Sequence, residues 1–161
     1  MDIREEKDPD HDGVRAVIEA AFGGSAEADL VDALRRAGDA EFALVAMKDG
    51  EIVGHVMLSR LSAPIRALGL APVSVVPSYQ GKGIGAKLIE EILKRAKAKG
   101  WEAIFVVGAP KYYSRFGFRA DIARPFASTH VGPHFMALEL VEGVLHGRSG
   151  KVAYAPAFDA L

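Results

Sequence analysis

Apolar residues Val14, Val17, Ile18, Ala21 and Phe22 recur at intervals of three and four, the spacing of one helical face, and Gly23-Gly24 ends the run. Ser25 stands where it can cap a second helix, whose stripe is Leu30, Val31, Leu34 and Ala37 and whose stop is Gly38. The opening forty residues therefore read as two short helices around a glycine break. Residues 42–47 are continuously apolar, and Asp49-Gly50 predicts a hairpin turn into a second strand over 52–59, paired antiparallel with the first. Residues 61–69 show no clean period and read as a connection or an irregular strand. A Val-rich strand over 70–76 ends at Pro77, since proline cannot continue a ladder.

After that strand comes Gln80-Gly81-Lys82-Gly83-Ile84-Gly85-Ala86 and then the clearest helical pattern in the chain, with Ile84, Leu88, Ile89, Ile92, Leu93 and Ala96 on one face. Glu90 and Lys94, and Glu91 and Arg95, stand four apart in the favourable order on the other face. Residues 103–107 form a buried strand, so residues 70–107 make a strand, loop, helix and strand with a parallel, right-handed crossover. Further strands are expected over 135–141 and 151–155. No repeat, low-complexity tract or linker interrupts the chain, which predicts one α/β domain over residues 1–161 with a mixed sheet.

Composition narrows the chemistry. The chain has 161 residues, half of them apolar, enough for one core of ordinary size. Twenty Lys plus Arg against 21 Asp plus Glu give a formal charge of −1, so no net field gathers nucleic acid or an anionic membrane. The absence of Cys excludes disulfides, thiolate nucleophiles, Cys-ligated zinc and iron-sulfur clusters. The start is charged and lacks the apolar core of a secretory signal, and nothing approaches the roughly 18 apolar residues of a membrane span, so a soluble, cytoplasmic protein is expected.

Alternating glycines between a strand and a helix let the backbone bend tightly and let a ligand touch the main chain. The unpaired N–H groups of the following helical turn face the same space, where the helix dipole favours a phosphate or diphosphate. A plain glycine-rich connection is the alternative. A Walker loop is excluded, because no Ser or Thr follows a Lys here to hold magnesium. The segment Gly81-x-Gly83-x-x-Ala86 fits a dinucleotide fingerprint formally, but the next strand ends in Val107-Gly108-Ala109 without the acidic ribose ligand.

The stretch from Val73 through Pro77 to Gln80-Gly81-Lys82-Gly83-Ile84-Gly85 resembles the acetyl-CoA signature of the GNAT family of N-acetyltransferases. Tyr112-Tyr113-Ser114-Arg115-Phe116-Gly117-Phe118 is similar to the Tyr-x-x-x-Gly-Phe element that follows the next strand in that family. Two motifs in order are far more specific than either alone. The likeness covers residues 42–118, and this variant most resembles the YhbS-like branch. It implies a mixed, mostly antiparallel twisted sheet flanked by helices, with a splayed central pair of parallel strands. It further implies direct transfer of acetyl from acetyl-CoA to a primary amine of a small molecule or peptide.

By that resemblance the backbone of Val73 and Val75 would pair with the pantetheine amides, and Gln80, Gly81, Lys82, Gly83, Ile84, Gly85 and Ala86 would bind the diphosphate. Tyr113 would give a proton to the departing thiolate, because a phenol with a pKa near 10 keeps its proton at neutral pH. Tyr112 is expected to pack, and Phe116 and Phe118 to pin the segment to the sheet. Many relatives place a Glu on the strand before the glycine turn, yet residues 70–75 hold no carboxylate. Water or His55, on a strand face with Val53, Met57 and Ser59, is the remaining base. That gap keeps a non-catalytic acyl-CoA-binding or regulatory domain as the alternative. His130 and His134 are four apart, but Pro133 argues against a helix that would align them on a metal. Edge strands near the C-terminus offer a route to a homodimer.

Overall fold

Strand β2 (Ala40–Lys48) is apolar without alternation because helices cover both of its faces. In the computed structural model, which describes residues 1–129 and 132–161, Leu44 and Ala46 pack under one helical layer and Val45 under another. The same division runs along β3 (Glu51–Ser62), where Val56 and Leu58 face one side and Met57 the other. Helix α3 (Ile84–Ala98) forms the first layer and buries Leu88, Ile89, Ile92 and Ala96 completely. Helices α1 (His11–Phe22) and α2 (Ala26–Arg36) form the second, through Val14, Ile18, Leu30, Val31 and Leu34.

The sheet runs in the order β1, β2, β3, β4, β5, β7, with β1 at Asp2–Glu5, β4 at Ala67–Val75, β5 at Ala103–Val107 and β7 at Phe135–Glu139. Every neighbour pair on this path is antiparallel except β4 and β5, as the strand-helix-strand pattern predicts. Short β9 (Ala153–Tyr154) pairs the far end of β3, and β6 (Phe126–Ala127) lies parallel to β8 (Gly150–Lys151) in a separate pair. The hairpin between β2 and β3 turns at Asp49 and Gly50, whose φ angles of 51° and 78° are those of a type I′ turn. The outer edge of β7 is partly closed by Arg119, which exchanges both backbone hydrogen bonds with Ala137.

Several local expectations change. The charged start carries the edge strand β1, and residues 61–69 are mostly strand, since β3 runs on to Ser62 and β4 begins at Ala67. The stretch expected as one strand over 151–155 is divided between β8 and β9. Ser25 sits at the start of α2 without a side-chain capping bond. Val53 packs with the α3 cluster and does not share the face of His55 and Met57. The reason is a bulge: Ala46 pairs with Gly54 but Met47 with Ile52, so Val53 is the extra residue that resets the alternation.

His55 lies fully buried on β3, on the α1 and α2 side, with Nε2 3.2 Å from Glu6 Oε1. The two groups are in close contact but too poorly aligned for a hydrogen bond. Glu6 also takes two contacts from the Arg35 guanidinium, one through Nε at 3.3 Å, and Arg35 reaches Asp32 at 3.0 Å. This network ties the end of β1 to β3 and α2. Burial holds the His55 imidazole below its ordinary 6.5, against the opposing pull of Glu6, so it is neutral in the fold. Burial alone would raise the Glu6 carboxyl, but the His55 and Arg35 contacts outweigh it and hold the carboxyl below 4.5.

Both shifts make the unfolded chain take up more protons in acid. Stability is therefore expected to fall as pH drops below 6.5 through His55, and again below 4.5 through Glu6, by at most about 1.4 kcal/mol per pH unit for each extra proton. Urea unfolding across pH 4 to 8 checks this: His55→Gln should flatten the slope just below pH 6.5, and an unchanged slope would show that His55 does not titrate on unfolding.

Candidate active site

Strands β4 and β5 pair at only three positions, Ala67 with Ala103, Leu68 with Ile104 and Gly69 with Phe105. Beyond these β4 stays with β3 and β5 with β7, so a gap opens between their C-terminal ends. A bulge in β4 sharpens the parting: Leu58 pairs with Leu70 but Val56 with Val73, which places one extra residue around Ala71 and Pro72. The Val76 N–H bonds to Val53 O on β3. Backbone groups alternate sides along a strand, so Ser74 also faces β3 while the N–H and C=O of Val73 and Val75 face the gap.

A 3₁₀ turn at Pro77–Tyr79 leads from β4 into the glycine turn. Gly81 and Gly83 have φ of 76° and 83°, left-handed values that strain any side chain, and Gly83 caps α3. Among the described residues nothing accepts a hydrogen bond from the N–H groups of residues 81–86, and no side chain caps the helix. Val73, Val75, Gln80, Gly81, Gly83, Ile84, Gly85, Ala86 and Tyr113 line one cleft of about 500 Å³, together with Tyr79, Tyr112 and Arg115. Lys82 is not on this wall; its ammonium lies 5.5 Å from the Tyr79 ring centre. The Gln80 side-chain amide donates to Val75 O at 2.9 Å, bracing the turn against the end of β4.

Opposite the glycine turn stands the segment after β5, helix α4 (Pro110–Tyr113) and a 3₁₀ turn over Ser114–Phe116. Tyr113 meets the edge of Phe118 at 5.8 Å and of Tyr112 at 5.1 Å between ring centres. Phe118 is 1% exposed and fixes the segment on the α3 cluster. The Tyr113 ring also lies on the backbone of Gly108, where an ideal Cβ would stand 2.3 Å from a ring carbon. Burial, aided by Tyr112, raises the Tyr113 phenol above its ordinary 10.0, so it keeps its proton well past neutral pH. Tyr112 does more than pack: it lines the cleft, with its hydroxyl 3.4 Å from where a Gly85 Cβ would be.

Among the described residues the lining contains no carboxylate and no histidine. His55 does not join it, being enclosed with Glu6 and Arg35. Among the described residues no three His, Asp or Glu gather as metal ligands. His130 lies outside the described residues; His134 Nδ1 is 3.0 Å from Gly108 O. Gly108, Tyr112 and Arg115 were not singled out from sequence as parts of the site. The one available signal was that all three flank Tyr113 in or beside the quoted motif.

Comparison with known proteins agrees with this geometry. The acetyltransferase (GNAT) domain model matches residues 2–120, and the chain belongs to the GNAT family of N-acetyltransferases. It is 32% identical to the uncharacterized N-acetyltransferase YhbS of Escherichia coli K12, over 99% of both chains. The crystal structure of E. coli YhbS in complex with CoA superposes with a TM-score of 0.91 at 32% identity, covering 98% of this chain and 91% of that one. A GNAT acetyltransferase of Brucella melitensis in complex with acetyl-CoA matches with a TM-score of 0.81 at 36% identity, covering 98% and 97%. No helix among the described residues is long and apolar enough to cross a membrane.

The close approach of Tyr113 to Gly108 has a measurable consequence. Gly108→Ala must displace the ring and is expected to destabilise the fold by about 1 to 3 kcal/mol in denaturant unfolding. Gly24→Ala, whose Cβ meets nothing within 4 Å, should stay within about 0.5 kcal/mol; equal effects would show that the ring is not seated on Gly108.

Proposed function

We propose that this chain transfers acetyl from acetyl-CoA directly to a primary amine, with Tyr113 as the proton donor to the departing thiolate. The observation that carries the reading is the row of unbonded N–H groups at residues 81–86, opening onto a gap faced by the backbone of Val73 and the N–H of Val75, the Val75 carbonyl being taken by the Gln80 amide. The CoA and acetyl-CoA complexes of the two similar acetyltransferases support it.

The diphosphate is held by the N–H groups of residues 81–86 and by the dipole of α3, where side chains matter mainly through their size. Gln80 holds this turn, and Lys82 stands at its outer side. The pantetheine arm enters the gap and pairs with Val73 and Val75 as an added strand would. The neutral amine attacks the thioester carbonyl, the new N–C bond forms, and the C–S bond breaks. Tyr113 gives its proton to the sulfur, whose thiol pKa is about 8.5, and is reprotonated from solvent. With no carboxylate or imidazole among the described residues of the cleft wall, water takes the amine's proton. No Cys is present to carry acetyl, so transfer is direct.

Calorimetry and a thiol-release assay with a broad amine panel test this reading. Gly85→Val puts a branched side chain into the cleft beside Tyr112 at a helical position and should weaken CoA binding at least about tenfold. Gly83→Val is the poorer probe, since its left-handed backbone is strained by any side chain. Tyr113→Phe should keep CoA affinity within about twofold while lowering thiol release by about a hundredfold or more. Wild-type protein that fails to bind CoA at millimolar concentration overturns the reading, and binding without turnover on any amine supports a non-catalytic acyl-CoA-binding domain.

A further inference from the structure

The face that β3 shows to α3 carries Val53, Val56 and Leu58, and it is bulky throughout except at Gly54. Gly54 is buried, and its backbone has none of the left-handed φ that Gly81 and Gly83 carry, so its own conformation does not call for glycine. The requirement comes from its neighbours. An ideal Cβ on Gly54 would stand 3.0 Å from Leu88 Cδ1, 3.2 Å from Ile84 Cγ2 and 3.3 Å from the carbonyl oxygen of Ser74. A glycine inside a strand marks a close approach of this kind.

Those three atoms belong to the two main-chain walls of the cleft. Ile84 is the first residue of α3, directly after the Gly83 cap, and Leu88 lies one turn further along. Ser74 stands between Val73 and Val75 on β4. The bare Cα of Gly54 is therefore the floor on which the first turn of α3 rests beside the end of β4. The same turn meets β4 directly at Gly85, whose Cβ position is 3.8 Å from a Val75 methyl and 3.9 Å from a Val73 methyl. Of the two walls β4 is the fixed one, since Val75 pairs with Gly54 and Ser74 with His55 in the β3 ladder. A side chain at position 54 would lift the helix.

We infer that Gly54 is a positioning residue for acetyl-CoA: it sets the spacing between the N–H groups of residues 81–86 and the gap edge of β4, so that the diphosphate and the pantetheine arm are engaged together. The inference rests on the glycine turn being the diphosphate site. Two groups joined in one ligand both contribute fully only when the spacing of their sites matches the ligand. A methyl group at 54 alters that spacing from behind, because Gly54 is not part of the cleft wall.

Calorimetric titration of CoA and of pantetheine, which lacks the diphosphate and nucleotide, tests this on wild-type protein, Gly54→Ala, Gly54→Val and Gly13→Ala, with urea unfolding of each. Wild-type protein should prefer CoA by about a hundredfold or more, because charge-assisted bonds to the diphosphate add to the pantetheine contacts. Gly54→Ala should cut that preference at least about threefold and Gly54→Val at least about tenfold, with pantetheine affinity within about twofold in both. The alanine variant carries the test if valine prevents folding. Gly13→Ala is the control: its Cβ would meet Ile52 Cδ1 at the same 3.0 Å, but from helix α1, and it should leave the preference unchanged. Combining Gly54→Ala with Leu88→Val, which removes the crowding Cδ1, should restore the preference. If Gly54→Ala lowers stability but not the preference, Gly54 serves packing alone and the inference is overturned. Equal weakening of both ligands overturns it too, as does a double variant no better than Gly54→Ala. A wild-type protein that binds pantetheine as tightly as CoA, or binds neither, removes the glycine-turn reading itself.

Discussion

The structure depends on two parallel strands that stop pairing after three residues. Each of β4 and β5 has a committed antiparallel partner on its other side, so neither can bend back to close the gap without breaking a ladder. The backbone of Val73 and the N–H of Val75 are thereby left facing open space, while the Val75 carbonyl takes the Gln80 side-chain amide. The glycine turn adds unbonded donors at the mouth of the gap, so one side of the cleft presents main-chain groups almost alone.

The other side is built from side chains, and its order comes from packing. Tyr113 is held from three directions by Phe118, Tyr112 and the bare backbone of Gly108. Enclosure of this kind fixes the hydroxyl and raises its pKa together, because both follow from replacing water with ring and backbone atoms. Gly108 also bonds His134 through N–H to carbonyl at 2.9 Å, so the surface under Tyr113 is tied to the residue just before β7.

The buried polar groups lie elsewhere and serve the scaffold. His55, Glu6 and Arg35 connect an edge strand, a central strand and a helix that would otherwise meet through few contacts. Ion pairs with water removed are costly to break and contribute little net stability when formed, so their effect is to specify which elements meet. Ser74, opposite His55 in the register, is buried as well, between the two valines whose main chain faces the cleft. The face of β4 that turns toward α1 and α2 is thus closed at this depth.

Much of this was legible in the chain because the deciding physics is local. The stripe from Ile84 to Ala96 demands a helix, Asp49-Gly50 demands a turn with two positive φ angles, and glycines at 81 and 83 permit a bend that side chains resist. Those features, with Tyr113 in its motif, located the glycine wall and the tyrosine facing it. Strand β1 escaped notice because Asp2–Glu5 carries a single apolar residue, Ile3, and pairs along one edge only. The bulge at Val53 arises from register with β2, which no count along one strand reveals. Lys82 and Arg115 are both cations beside glycine-rich or aromatic motifs; what separates an outer lysine on Tyr79 from an arginine on the cleft wall is distance across space. By itself the sequence determined which segments turn, coil or extend, since each depends on neighbours a few residues away. Only the tertiary structure decided which backbone groups were left without partners and which side chains met across the gap, because those depend on strands more than thirty residues apart.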